Sequence, residues 1–321
     1  MKGLKHAVLV AIPLFLGPGL LLALGGNTPP TSSSSGGVGD ADYVGSEGCR
    51  ACHEDQFTRM RQTKMGKVLL SAPRTEVEAR GCEACHGPGQ AHIEGGGDKG
   101  AIIRFGKDSS ASGAAQNDQC LQCHENGLRL FWRGSPHQSR GLTCVKCHQV
   151  HQAMQPSSSR FVEPLSENQQ FVKSTQPEVC FQCHLMRRAQ LMRSSHMPFR
   201  EGKVTCTNCH NPHGTPNPKQ LIESSANENC YKCHAERRGP FLWEHPPVME
   251  NCLNCHEAHG SSHPQLLRMR EPRLCQRCHI ESGHPVSPTI PTSRFVFNRS
   301  CTNCHSQIHG SNHPSGVRFH R

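Results

Sequence analysis

Ten copies of Cys-x-x-Cys-His, ending at His53, His86, His124, His148, His184, His210, His234, His256, His279 and His305, use all 20 cysteines of the 321-residue chain. Two thiols this far apart can each add to one vinyl group of a single porphyrin, and the adjoining imidazole then lies under the iron. The spacing points to ten covalently bound haem c groups. The attachment residues are Cys49, Cys52, Cys82, Cys85, Cys120, Cys123, Cys144, Cys147, Cys180 and Cys183, then Cys206, Cys209, Cys230, Cys233, Cys252, Cys255, Cys275, Cys278, Cys301 and Cys304. The ten motif histidines are the proximal ligands. Structural zinc also uses Cys-x-x-Cys but requires no histidine after each second cysteine. Histidine makes up 23 of 321 residues, too few for ten such placements by chance. Cysteines this close together are also poor long-range disulfide staples.

The sixth ligand decides the chemistry. The motifs fall into five pairs, beginning at Cys49, Cys120, Cys180, Cys230 and Cys275. In later pairs the first motif is followed by His137, His196, His245 or His284, and the second closely by His151, His213, His259 or His309; His92 follows the second motif of the first pair. The close ones lie three or four residues beyond a proximal histidine, a span of at most about 14 Å. That cannot round a porphyrin edge, so these histidines are expected to ligate a neighbouring haem. Any one of them could instead hydrogen-bond a propionate or the backbone. The place matching Ser135-Pro136-His137 and Ser194-Ser195-His196 reads Thr63-Lys64-Met65 in the first pair. Met65 is therefore expected as distal ligand of the first haem, with a raised reduction potential. Lys64, a spare histidine (His263, His313 or His320) and an open site are the alternatives.

Irons closed on both sides leave no place for substrate. A Cys-x-x-Cys-Lys variant is absent and the only tyrosines are Tyr43 and Tyr231. The chain reads as an electron conductor with no catalytic residue. A multihaem oxyanion reductase would need a high-spin, accessible haem; a soluble periplasmic shuttle would need no partner in a membrane.

Elements around such sites must be short. Only 34% of residues are hydrophobic and 5% aromatic, low for a globular chain, so porphyrins must supply the apolar filling. The expected fold class is a multihaem cytochrome c: short helices and loops wrapped around an elongated stack of ten haems. Residues 1–25 read as a secretory signal peptide, with Lys2 and Lys5 before an apolar run. Residues 26–42 read as a flexible linker and 43–321 as the decahaem domain, divisible into pentahaem halves 43–195 and 196–321. No later stretch could span a bilayer. The formal charge of +10 does not argue for nucleic acid, since each haem brings two propionates for Lys and Arg to pair with.

The element Cys85-His86-Gly87-Pro88-Gly89-Gln90-Ala91-His92, with His213-Gly214, His259-Gly260 and His309-Gly310, resembles the MtrA/PioA/DmsE decahaem cytochromes over residues 43–321. The resemblance implies a haem wire inside a porin-like outer-membrane β-barrel, joining periplasm and exterior, with the N-terminal haem on the periplasmic side. It implies a periplasmic carrier partner (a small cytochrome or a high-potential iron–sulfur protein) and, on the outer side, an extracellular multihaem cytochrome. Members are otherwise bis-histidine, so Met65 looks more like the iron-oxidising branch. A high-potential periplasmic end would favour electrons entering from outside, as from Fe(II); outward flow to metal oxides or dimethyl sulfoxide uses the same wire in reverse.

Overall fold

The computed structural model describes residues 42–151, 171–194, 196, 198–279 and 300–320. The signal sequence, nearly all of the linker, and His284 lie outside them. Residues 39–321 form one compact unit. Among the described residues there are short α-helices, 3-10 turns and isolated bridges such as His210–Leu221 and His256–Leu267, and no strand. No described helix is long and apolar enough to cross a membrane.

The motif itself dictates this. The first cysteine, the second and the histidine stand at i, i+3 and i+4, which share one face of a helical turn. The histidine N–H donates to the first cysteine's carbonyl, at 2.9 Å for His53, 2.8 Å for His234 and 2.9 Å for His305. One turn is enough to aim two thiols and an imidazole the same way, so nothing demands a longer helix. The first motif of each pair lies on or at the end of an α-helix: Gly45–Arg50, Gly113–His124, Gln176–Phe181, Ala226–Tyr231 and Arg273–Gln276. The second motif starts a 3-10 turn in four pairs: Cys144–Lys146, Cys206–Asn208, Cys252–Asn254 and Cys301–Asn303. Only in the first pair is it α-helical, at Glu83–His86.

Each pair is held by a polar side chain placed just before its first motif. Asn117 Oδ1 accepts the Cys144 N–H at 2.8 Å, and Asn227 Oδ1 accepts that of Cys252 at 2.6 Å. Their amide groups donate to Leu142 and to Val248 and Met249 carbonyls. Ser46 accepts from Cys82 N–H in the first pair, Gln176 from Thr207 in the third and Glu271 from Thr302 in the fifth. Buried backbone donors need such partners. The Gln176–Thr207 contact crosses the 195/196 boundary between the expected halves.

Apolar packing within the polypeptide is slight. One buried cluster joins Phe181, Leu191 and Phe199, with Met192 and Cys206 against it. Leu128, Leu185, Met186 and Leu242 lie exposed on the polypeptide surface, each a few residues beyond a first motif.

Candidate haem sites

Successive motifs are neighbours in sequence order. Within pairs, the first cysteines are electrostatic neighbours of one another: Cys49 with Cys82, Cys120 with Cys144, Cys230 with Cys252 and Cys275 with Cys301. Between pairs, second cysteines are electrostatic neighbours: Cys85 with Cys123, Cys209 with Cys233 and Cys255 with Cys278, while Cys147 neighbours both Cys180 and Cys183. The Gln176–Thr207 contact completes the series across the third pair. No disulfide joins any of the cysteines. Among the described residues, no three His, Cys, Asp or Glu side chains gather as a tetrahedral zinc site requires.

Eight proximal imidazoles each face another imidazole. Ring centroids are 6.3 Å apart for His53 and His92, 5.9 Å for His86 and His151, and 5.9 Å for His148 and His213. They are 6.3 Å for His184 and His137, 6.1 Å for His210 and His259, and 6.1 Å for His234 and His196. They are 6.2 Å for both His256 and His309, and His279 and His245. Two metal–imidazole bonds of about 2 Å, plus about 1.1 Å from each nitrogen to its ring centre, give about 6 Å. Direct ring stacking is closer, so the spacing fits one iron between each pair. His305 is different: His320 lies 4.5 Å away and edge-on.

Other groups fit the same reading. Proximal Nδ1 atoms meet backbone carbonyls: Ile103 for His86 at 2.7 Å, Lys219 for His210 at 3.0 Å and Gln265 for His256 at 2.9 Å. Such a bond fixes the tautomer and leaves Nε2 for the metal. Lys219 and Gln265 adopt left-handed conformations, φ 56° and 51°, to present those carbonyls. On the opposite side, His137 Nδ1 meets Pro212 O at 2.7 Å and His245 meets Ile308 O at 3.0 Å. Burial pushes the His213 and His309 imidazoles down to about 4, so both keep a free lone pair at neutral pH. Arg129, Arg187 and Arg237 stand at related places after first motifs, beside His213, His259 and His309 respectively. Guanidinium groups there suit propionates. The indole N–H of Trp132, whose ring lies 6.4 Å from that of His213, is buried without a polypeptide acceptor, as a propionate neighbour would allow.

Spacing along the sequence offers Met65 to the first haem; in the structure it is His92 that stands opposite His53. Glu83 explains it. This buried carboxylate accepts the N–H groups of Val44 at 3.0 Å and Gly45 at 2.8 Å, just ahead of the first motif, and of Gly89 at 2.7 Å. It thereby folds the helix Gln90–Glu94, which carries His92, over the first motif. Met65 is half-buried at the second position of the helix Lys64–Ser71.

Known proteins carry the same signature. The doubled CXXCH motif model matches residues 196–239 and 245–284, and the model of cytochrome c-type protein NrfB-like matches residues 82–163. The chain is 29% identical over 103 residues to cytochrome c-554 of Nitrosomonas europaea, spanning 29% of this chain and 41% of that protein. To the multiheme cytochrome MtrA of Shewanella baltica it is 40% identical over 292 residues, 88% of this chain and 83% of the relative. With motifs, pairing and cysteine series all accounted for, the chain belongs to the MtrA family of multihaem c-type cytochromes, electron-transfer proteins rather than enzymes.

Proposed function

We propose that this cytochrome is the conducting element of an outer-membrane conduit. It is exported by its N-terminal segment, seated in a porin-like β-barrel, and exchanges electrons with a soluble periplasmic carrier on one side. The order of motif neighbours from Cys49 to Cys301 carries this reading: each motif has the next one in sequence beside it, as a conducting row requires. Bound haem supplies one-electron chemistry along that path. The chain's residues do the rest. They hold the iron's two axial positions with little freedom to change on reduction, space the sites by short covalent turns, and neutralise propionates with arginines.

The ring spacings support distal ligation by His92, His151, His213, His137, His259, His196, His309 and His245 for the haems of His53, His86, His148, His184, His210, His234, His256 and His279. Met65 and His284 complete the set of ten. The net direction proposed is inward, from an external donor such as Fe(II). Its support is the likeness of the Met65 position to the iron-oxidising branch, not a methionine on the terminal haem.

The test uses the protein with whatever co-purifies from detergent-solubilised outer membrane, placed in liposomes that enclose a redox dye. An impermeant reductant outside, and then Fe(II), should reduce the dye only when both the cytochrome and a co-purified barrel are present. No dye response, with the cytochrome recovered alone from the soluble periplasm, replaces the conduit with a shuttle.

A further inference from the structure

The paired rings obey two rules that run in opposite directions along the chain. A second-motif haem takes its distal imidazole from the next pair: His86 from His151, His148 from His213, His210 from His259, His256 from His309. A first-motif haem takes its ligand from the preceding pair, from the segment about 12 residues beyond that pair's first proximal histidine: His184 from His137, His234 from His196, His279 from His245. The remaining haem of this class is that of His124. Among the described residues no imidazole faces His124 at this spacing. The rule carried one pair back reaches Met65, 12 residues beyond His53.

Local structure agrees with the register. Thr63 and Ser135 are both 3% exposed. Thr63 Oγ1 accepts the Gly66 N–H at 2.9 Å, and Ser135 Oγ accepts the Gln138 N–H at 3.1 Å. Each begins a helix at the preferred capping position, and each puts the residue in question, Met65 or His137, at the second place of that helix. The two side chains therefore leave equivalent frames. The first haem has no preceding pair to draw on, which is why the Glu83-tethered His92 serves it.

We infer that Met65 is the distal ligand of the third haem, opposite His124, so that the methionine-ligated iron lies inside the stack and not at its N-terminal end. This rests on the reading of Met65 as a ligand and adds which iron it binds. The consequence for conduction is specific. A thioether favours the reduced iron, so an electron entering from the C-terminal end meets its most favourable site two haems short of the other end. The first two haems, both bis-histidine, then form a step that must be climbed before release to a periplasmic carrier.

The experiment compares the fully loaded protein with Met65→Ala, His92→Ala and the double variant, counting high-spin ferric haems by EPR. One from each single variant and two from the double variant places the residues on different irons, as expected. One from Met65→Ala, none from His92→Ala and only one from the double variant would put Met65 on the first haem and overturn the inference, while leaving Met65 a ligand. None from Met65→Ala would instead remove Met65 as a ligand altogether. Met65→His serves if the alanine variant loads poorly: it should stay wholly low-spin, lose the sulfur-to-iron charge-transfer band and lower the potential of one haem. In density of the holoprotein, Met65 sulfur on the iron opposite His124 is the expected result; sulfur on any other iron overturns it.

Discussion

The first pair and the inner pairs solve one problem in two ways. The fourth pair, beginning at Cys230, lies between neighbours on both sides: His196 from the preceding pair faces His234, and His309 from the following pair faces His256. The first pair has a neighbour on one side only. It closes on itself, with His92 against His53, a helical second motif, and Glu83 tying Val44, Gly45 and Gly89 together. Repeat proteins generally need an atypical terminal unit because an internal unit cannot complete itself alone. Here the terminal unit places its own imidazole, His92, where an inner pair draws on a neighbour.

The contrast is sharpest where the inner pairs dock. Gly260 follows His259, has φ +141°, and a methyl there would overlap the Gln190 carbonyl, just before the Ser194–His196 segment. Gly260→Ala should therefore push apart two segments that each carry a distal histidine. We expect a loss of about 3 kcal/mol or more and new high-spin haem by EPR. Gly96, in the end loop, has φ +65° and open space around it, so Gly96→Ala should cost only the backbone strain of about 1 kcal/mol and leave the spin state unchanged. Equal effects would dissolve the distinction between docked and self-closed pairs.

The clamps give a smaller difference. Asn227→Ala strands the Cys252 N–H and the Val248 carbonyl, and should cost about 2 kcal/mol in denaturant titrations. Ser46→Ala removes a single 3.2 Å bond and should cost about 1 kcal/mol. Glu83→Gln keeps an acceptor but loses its charge, at about 1.5 kcal/mol. Its effect should be local: faster amide exchange at Val44, Gly45 and Gly89, with exchange in the Ala226–Tyr231 helix unaltered. Change spread through the whole chain would mean Glu83 is not a terminal device. At the bottom of the scale, the Arg74–Glu78 pair, exposed on its arginine side, should contribute little, and Arg74→Ala should denature within about 0.5 kcal/mol of the parent protein.

The cofactor and the sparse architecture were legible in the sequence because each motif is a complete local instruction. Cysteine, cysteine and histidine fall on one helical face whatever surrounds them. The close histidines were expected to reach a neighbouring haem, but which motif histidine each one faces was not legible, since it belongs to another pair. His151 is three residues from His148, yet it faces His86, 65 residues earlier. Matching Met65 to His137 and His196 along the sequence picked out an equivalent position and, by nearness along the chain, suggested the first haem. The segments that carry His137 and His196, however, face histidines of the following pair. The clamps escaped notice although Asn117 and Asn227 stand at the same distance before their motifs, because a lone asparagine in a polar chain carries no chemical signal until its partner N–H is known.

The two opposed ligation rules also impose an order on manufacture. With the ligation proposed above, a chain made from its N-terminus has both ligands of the first haem by residue 92 and, through Met65, both of the third by residue 124. The second must wait for His151, the fourth for His213 and the sixth for His259. On that ligation, between residues 92 and 309 at least one second-motif iron still awaits its final ligand, while every first-motif iron already has both. A chain halted between those residues would then carry one or two second-motif haems short of a distal ligand.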